Sequence, residues 1–161
     1  MDLLIRRMKQ GDISKITKIA TESWHETYDG IIPRTIQDNF LALAYNEKML
    51  EKRYQETPFY VAELNKEIVG FANYSNLNND RSTELSAIYL KPQFKSRGIG
   101  SKLLDKGIQD LKPELIFVNV ETENEIGKTF YIAKGFQIVD EFDDNFDGHV
   151  LKTTRMVLKI Q

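Results

Sequence analysis

The chain contains no cysteine. That excludes disulfides, cysteine-ligated zinc and a cysteine nucleophile, and it agrees with a cytoplasmic location. Its 2 histidines, His25 and His149, stand far apart without flanking ligands, so no metal is expected. No apolar run approaches the ~18 residues of a membrane-spanning helix, and the first residues lack the apolar core of a signal peptide, so no membrane partner is expected. Basic residues are not in excess: 22 Lys and Arg stand against 24 Asp and Glu, for a net charge of -2. A domain that lives on phosphate backbones needs the opposite balance, so no nucleic-acid partner is expected. The 4 prolines are scattered and there is neither repeat nor low-complexity tract. With no linker and 41% hydrophobic content, residues 1–161 read as one domain able to bury its own core.

The most informative stretch spans residues 84–104. Residues 84–90 have strand length and β-branched or aromatic character, and Pro92 ends them. Beyond Gly98, Ile99, Leu103, Leu104, Ile108 and Leu111 recur at helical spacing. A helix opening on Gly98 and Gly100 presents unpaired N–H groups at its positive dipole end, where glycine lets an anion approach the backbone. Lys95 and Arg97 add charge. The spacing is neither that of a P-loop nor that of a dinucleotide fold.

A second pattern follows. Residues 115–120 are apolar and read as a strand, and residues 124–136 place Asn124 and Tyr131 two helical turns apart on one face. Gly135 stands where a helix end requires a left-handed residue. Lys95-Ser96-Arg97-Gly98-Ile99-Gly100 resembles the Q/R-x-x-G-x-G/A acetyl-CoA motif of the GNAT superfamily of N-acetyltransferases, with lysine in the first position. Residues 124–136 resemble its N-x-x-A-x-x-x-Y-x-x-x-G-F signature, with Gly127 in place of alanine. The resemblance covers most of the chain. It implies an α/β fold with a mixed, mostly antiparallel central sheet flanked by helices and splayed at the acetyl-CoA site.

The remaining elements read consistently with that fold. Residues 3–8 form a first strand, and Asp12 is expected to cap a helix carrying Ile13, Ile16, Ile19 and Ala20. A helix is expected over residues 46–55, and strands over 59–64 and 67–76 are joined at Asn65-Lys66. The closing strands are expected at 136–141 and 150–160. Between them, the acidic residues 140–147 read as a solvated loop, or as a field attracting a cationic amine.

The resemblance also implies a chemistry. In such enzymes a base takes a proton from the amine, nitrogen attacks the thioester directly, and the departing thiolate is protonated, with no acetyl-enzyme. Tyr131 falls on the family's tyrosine acid, and a phenol with a pKa near 10 is protonated at neutral pH. Glu84 falls on the glutamate base of the histone-type enzymes, and on a regular strand it shares a face with Ile88. The amino-terminal acetylating branch keeps a glutamate where this chain has Asn119. By the same resemblance, Ile88, Tyr89 and Leu90 line the pantetheine arm, while Lys95, Ser96, Arg97, Gly98, Ile99, Gly100 and Ser101 hold the pyrophosphate. Asn124 reaches the pantetheine or phosphate, or serves as an N-cap.

The acceptor pocket is expected in residues 23–33, which resemble the first-helix region of a bacterial group that includes polyamine acetyltransferases. Trp24, His25 and Tyr28 are the candidates there, against the alternative that Trp24 and Tyr28 only pack the helix on the sheet. The expected activity is therefore acetyl transfer from acetyl-CoA to a primary amine of a small molecule, with a polyamine as first guess. The alternatives are a protein N-terminal or lysine acetyltransferase, and a non-catalytic acyl-CoA-binding regulatory module. The acceptor's identity and the choice between monomer and homodimer are not encoded legibly.

Overall fold

The computed structural model describes residues 2–161. Its framework is a seven-stranded sheet in the order β1-β2-β3-β4-β5-β7-β6. The strands are β1 (Leu3–Arg7), β2 (Phe59–Leu64), β3 (Glu67–Tyr74), β4 (Ser82–Leu90), β5 (Leu115–Glu121), β6 (Gln137–Phe146) and β7 (His149–Lys159). Every neighbouring pair is antiparallel except β4 and β5, which run parallel. The expected mixed, mostly antiparallel sheet is therefore present. Helices α1 (Ile13–Tyr28), α2 (Arg34–Ala44) and α3 (Glu47–Glu56) cover one face, and α4 (Ile99–Leu111) and α5 (Glu125–Ala133) cover the other.

Two cores result. Under α1 to α3, Ile16, Ile19, Leu50, Phe59, Val61 and Phe71 are sealed. Under α4 and α5, Tyr60, Ala72, Ile99, Leu103, Ile116 and Met156 are. Gly107 lets α4 settle on Tyr74, since a Cβ there would meet the tyrosine ring 2.3 Å away. The phenol of Tyr74 donates to Leu103 O across the same contact.

Three local expectations are corrected. Helix α2 was not anticipated, although Pro33 precedes it and Ile36, Phe40, Leu41 and Ala44 repeat at helical spacing along it. Asp12 does not cap α1 through its side chain. Its carboxylate accepts from Lys9 N–H at 2.8 Å and from the Arg6 guanidinium at 2.9 and 3.2 Å. The acidic segment is no loop: β6 remains paired with β7 as far as Phe146 opposite His149, and the turn is Asp147-Gly148, both with positive φ. Because β6 is the sheet's edge strand, its carboxylates remain in water and oppose pairing with another edge.

Candidate active site

The sheet opens where the cofactor motifs converge. β4 and β5 pair only from Ser82 opposite Leu115 to Glu84 opposite Phe117. Beyond Glu84, β4 stays bonded to β3 on one side, while β5 stays bonded to β7 on the other. The main-chain edge of β4 at Ile88, Tyr89 and Leu90 thus faces a wedge, with donors and acceptors free to meet an extended ligand.

At the mouth of the wedge lies the turn into α4. Ser96 and Gly98 both have positive φ, 64° and 80°. The N–H groups of residues 96–101 find no acceptor among the described residues, and Lys102 N–H, bonded to Gly98 O at 3.2 Å, is the first that does. Free donors at a helix start make a cradle suited to an anion. The two glycines serve different ends. A Cβ on Gly98 would touch nothing, so its backbone conformation is what requires glycine; a Cβ on Gly100 would stand 3.2 Å from the Phe130 ring, so the need there is close packing of α4 on α5. Of the cations, Arg97 stacks 5.3 Å from the Phe94 ring, and Lys95 lies 3.7 Å from Glu26 of α1.

The tyrosine expected to act as acid lies on α5. Tyr131 is 7% exposed and packs edge-on against Phe130 and Phe136. The sealed side-chain oxygens without a partner among the described residues are Gln37 Oε1 and Tyr60 OH. Tyr131 OH has no hydrogen-bond partner either among the described residues, but it is not sealed. Burial pushes its pKa up, and neighbouring Tyr28 adds to the rise. The phenol is a protonated donor at neutral pH.

Asn124 is an N-cap: its Oδ1 accepts from Gly127 N–H at 3.0 Å. Gly127 is small because a Cβ would lie 2.7 Å from Asn124 Nδ2. The Asn124 side chain also reaches Tyr28, whose pKa burial raises to about 12 against the opposing pull of that amide. Tyr28 thus joins the first helix to the wedge.

The other residues expected in the acceptor pocket do not join it. Trp24 is 6% exposed, stacks on Phe40 with ring centres 4.5 Å apart, and donates its Nε1–H to Tyr89 OH at 3.0 Å. It is a core residue. His25 points to the surface, 2.8 Å from Asp38 of α2.

Glu84 stands apart from Tyr131. A bulge shifts the β3–β4 register between Asn73 opposite Ala87 and Tyr74 opposite Leu85. Leu85 and Ile88 consequently pack in the same core, under α4, and Glu84 turns to the other face. There Arg155 of β7 grips both of its oxygens, donates to Asn119 Oδ1 at 2.9 Å, and lies 4.5 Å from the Phe117 ring centre.

The sequence reading missed Glu121. It follows Asn119 by two residues on β5 and so shares its face. It is 8% exposed, and its Oε2 accepts Glu123 N–H at 2.7 Å. Desolvation raises its pKa, and its charge is felt by Tyr28.

The profile of the acetyltransferase (GNAT) family matches residues 13–136. The chain belongs to that family. As a GNAT enzyme it is an acetyl-CoA-dependent N-acetyltransferase, and the cradle and open β4 edge suit the donor's pyrophosphate and pantetheine. Spermidine N(1)-acetyltransferase of Thermoplasma acidophilum is 27% identical over 155 residues, spanning 91% of this GNAT chain and 95% of that protein. Among solved structures, PaiA N-acetyltransferase from Thermoplasma acidophilum in complex with coenzyme A superposes with a TM-score of 0.85, covering 99% of this chain and 100% of that one at 24% identity. Ribosomal-protein-alanine N-acetyltransferase from Brucella melitensis gives a TM-score of 0.74 over 98% and 99% of the two chains at 20% identity. Relatives with such different acceptors in their names share one GNAT fold, so the acceptor must be read from side chains.

Proposed function

We propose that this enzyme acetylates a primary amine of a small polycation, with a linear polyamine as the acceptor class. The observation that carries the reading is the charge on one face of the sheet. Strand register puts Asp140 opposite Arg155, and Phe142 and Asp144 opposite Thr153 and Leu151. Asn119 and Glu121 of β5 lie opposite Arg155 and Thr153 on that face, and Glu84 reaches it from β4. Carboxylates of β4, β5 and β6 therefore flank the far side of the wedge, with Arg155 the cation among them.

Such a face attracts and orients a chain of ammonium groups, at a distance from the N–H cradle that attracts the anionic donor. The similarity over nearly full length to a spermidine acetyltransferase supports the same reading. Tyr131 is the proposed acid, and residues 88–90 and 96–101, with Lys95 and Arg97, are the proposed donor contacts.

The test is thiol release from acetyl-CoA with spermidine, spermine, putrescine, lysine and short peptides, with products identified by mass spectrometry. A polyamine should give the highest kcat/KM. Preference for a peptide amine would overturn the small-molecule reading, and absence of turnover with every amine would favour a binding module.

A further inference from the structure

We propose that Arg155 is a positioning residue: by clasping Glu84 and Asn119 together at the apex of the wedge, it fixes how far β4 and β5 stand apart where the donor binds. The inference rests on the reading of the open β4 edge as the donor's seat. Main-chain pairing between the two strands ends at Glu84 opposite Phe117. Past that pair each strand is held only from its outer side, β4 by β3 and β5 by β7. No main-chain bond between them then sets the width of the gap, and a ligand seated in it needs one width.

Arg155 stands at that point. β5 lies between its own strand, β7, and the strand of Glu84, so the side chain reaches over one strand to grip the next. Nη1 donates to Glu84 Oε2 at 3.3 Å and to Asn119 Oδ1 at 2.9 Å, and Nη2 donates to Glu84 Oε1. The guanidinium lies 4.5 Å from the ring centre of Phe117, the β5 member of the last pair. Asn119 is two residues farther along β5, hence one pleat inside the wedge on the same face. The contacts therefore span the place where the ladder stops. Among the described residues, no other side-chain hydrogen bond or ion pair joins β4 to β5 or β7.

Arginine suits this place better than lysine. A planar guanidinium offers two N–H groups to one carboxylate while its face lies against an aromatic ring, which an ammonium group cannot do. A partly exposed pair adds little to the stability of the whole fold, but a gap that no main-chain bond holds needs little to be biased. When the clasp is lost, the wedge stands at the binding width for a smaller fraction of the time. The apparent affinity for the donor falls by that fraction.

The test is coenzyme A calorimetry, which needs no acceptor, at about 0.15 M salt to screen distant charges. It compares the parent with Arg155→Gln, Arg155→Lys, Glu84→Ala and the double variant Glu84→Ala/Arg155→Gln, each checked by circular dichroism and urea unfolding. Every single change should raise Kd about 3- to 5-fold. The double variant should bind no worse than the singles, because one clasp can be lost only once. A role for the bare charges gives a different pattern: coenzyme A is an anion, so loss of Arg155 would weaken its binding, loss of Glu84 would strengthen it, and Arg155→Lys would match the parent. Amide exchange supplies a second readout. In Arg155→Gln the apex residues 82–84 and 115–117 should exchange faster while β1 and β2 keep the parent's rates, whereas a loss of global stability would quicken the most protected amides of every strand. Opposite signs for Glu84→Ala and Arg155→Gln, additive losses in the double variant, parent-like binding by Arg155→Lys, or unchanged exchange at the apex overturns the clasp. Failure of the donor seat is seen separately, in the parent: amides of residues 88–90 that stay unmoved in ¹⁵N spectra at saturating coenzyme A would overturn the seat, and the clasp's role in binding with it.

Discussion

Glu84 and Ile88 lie on opposite faces of β4, although four residues separate them. The bulge opposite Asn73 and Tyr74 supplies the extra residue that turns the strand over, so Ile88 packs under α4 while Glu84 meets Arg155 on the other side. Glu84 and its charged neighbours therefore lie on the face opposite the α4 core. With the side chains of Glu84 and Arg155 39% and 28% exposed, the pair contributes little to stability. Arg155→Gln should cost less than about 1 kcal/mol in urea unfolding, with the difference shrinking in high salt. A loss several times larger would mean that the pair supports the fold.

The two glycines of the cradle should respond differently to alanine. Gly98→Ala forces a residue with Cβ into a left-handed conformation, costing about 1 kcal/mol and realigning the N–H groups beside it. Coenzyme A affinity should fall by calorimetry. Gly100→Ala should instead act through Phe130, and combining it with Phe130→Leu should cost less than the sum of the single losses, as measured by thermal unfolding.

Much of this site was legible because its signals are local. Gly98 announces a left-handed residue at a helix start, Gly135 one at a helix end with φ 98°, and Asn65-Lys66 a tight hairpin with both φ positive. What escaped depends on partners distant in sequence. Period-2 counting carries Glu84 to the face of Ile88, and only the register with β3 reveals the bulge. Trp24 reads as pocket or core until Tyr89 accepts its N–H, and Glu121 gains its interest from Tyr28, 93 positions earlier in the chain. The acidic residues of β6 suggest a loop by composition, but the Asp147-Gly148 turn was a hairpin signal in plain sight.

Tyr131→Phe removes the proposed proton donor and keeps the ring packed between Phe130 and Phe136. Its kcat should fall about 10²-fold with a smaller change in KM for acetyl-CoA. Wild-type turnover would show that the thiolate leaves unassisted or that another group serves.

The acid stability of the fold should be felt at Asp12. Burial alone would raise its pKa, but the Arg6 guanidinium and Lys9 N–H prevail and hold it below the ordinary 3.8. The carboxylate's contribution is therefore complete above that ordinary value and is lost as pH falls through the lower folded value. Asp12→Asn should cost about 1 to 2 kcal/mol at pH 7. In urea unfolding the gap from the parent should close at pH 2.

The central claim is that the donor lies along the open edge of β4 with its pyrophosphate on the turn into α4. Titration of ¹⁵N-labelled enzyme with coenzyme A tests it most directly. The account predicts the largest amide shifts at residues 88–90 and 96–101, with smaller changes at Asn124 and Tyr131. Shifts concentrated elsewhere, with the amides of residues 96–101 unmoved at saturation, would contradict it.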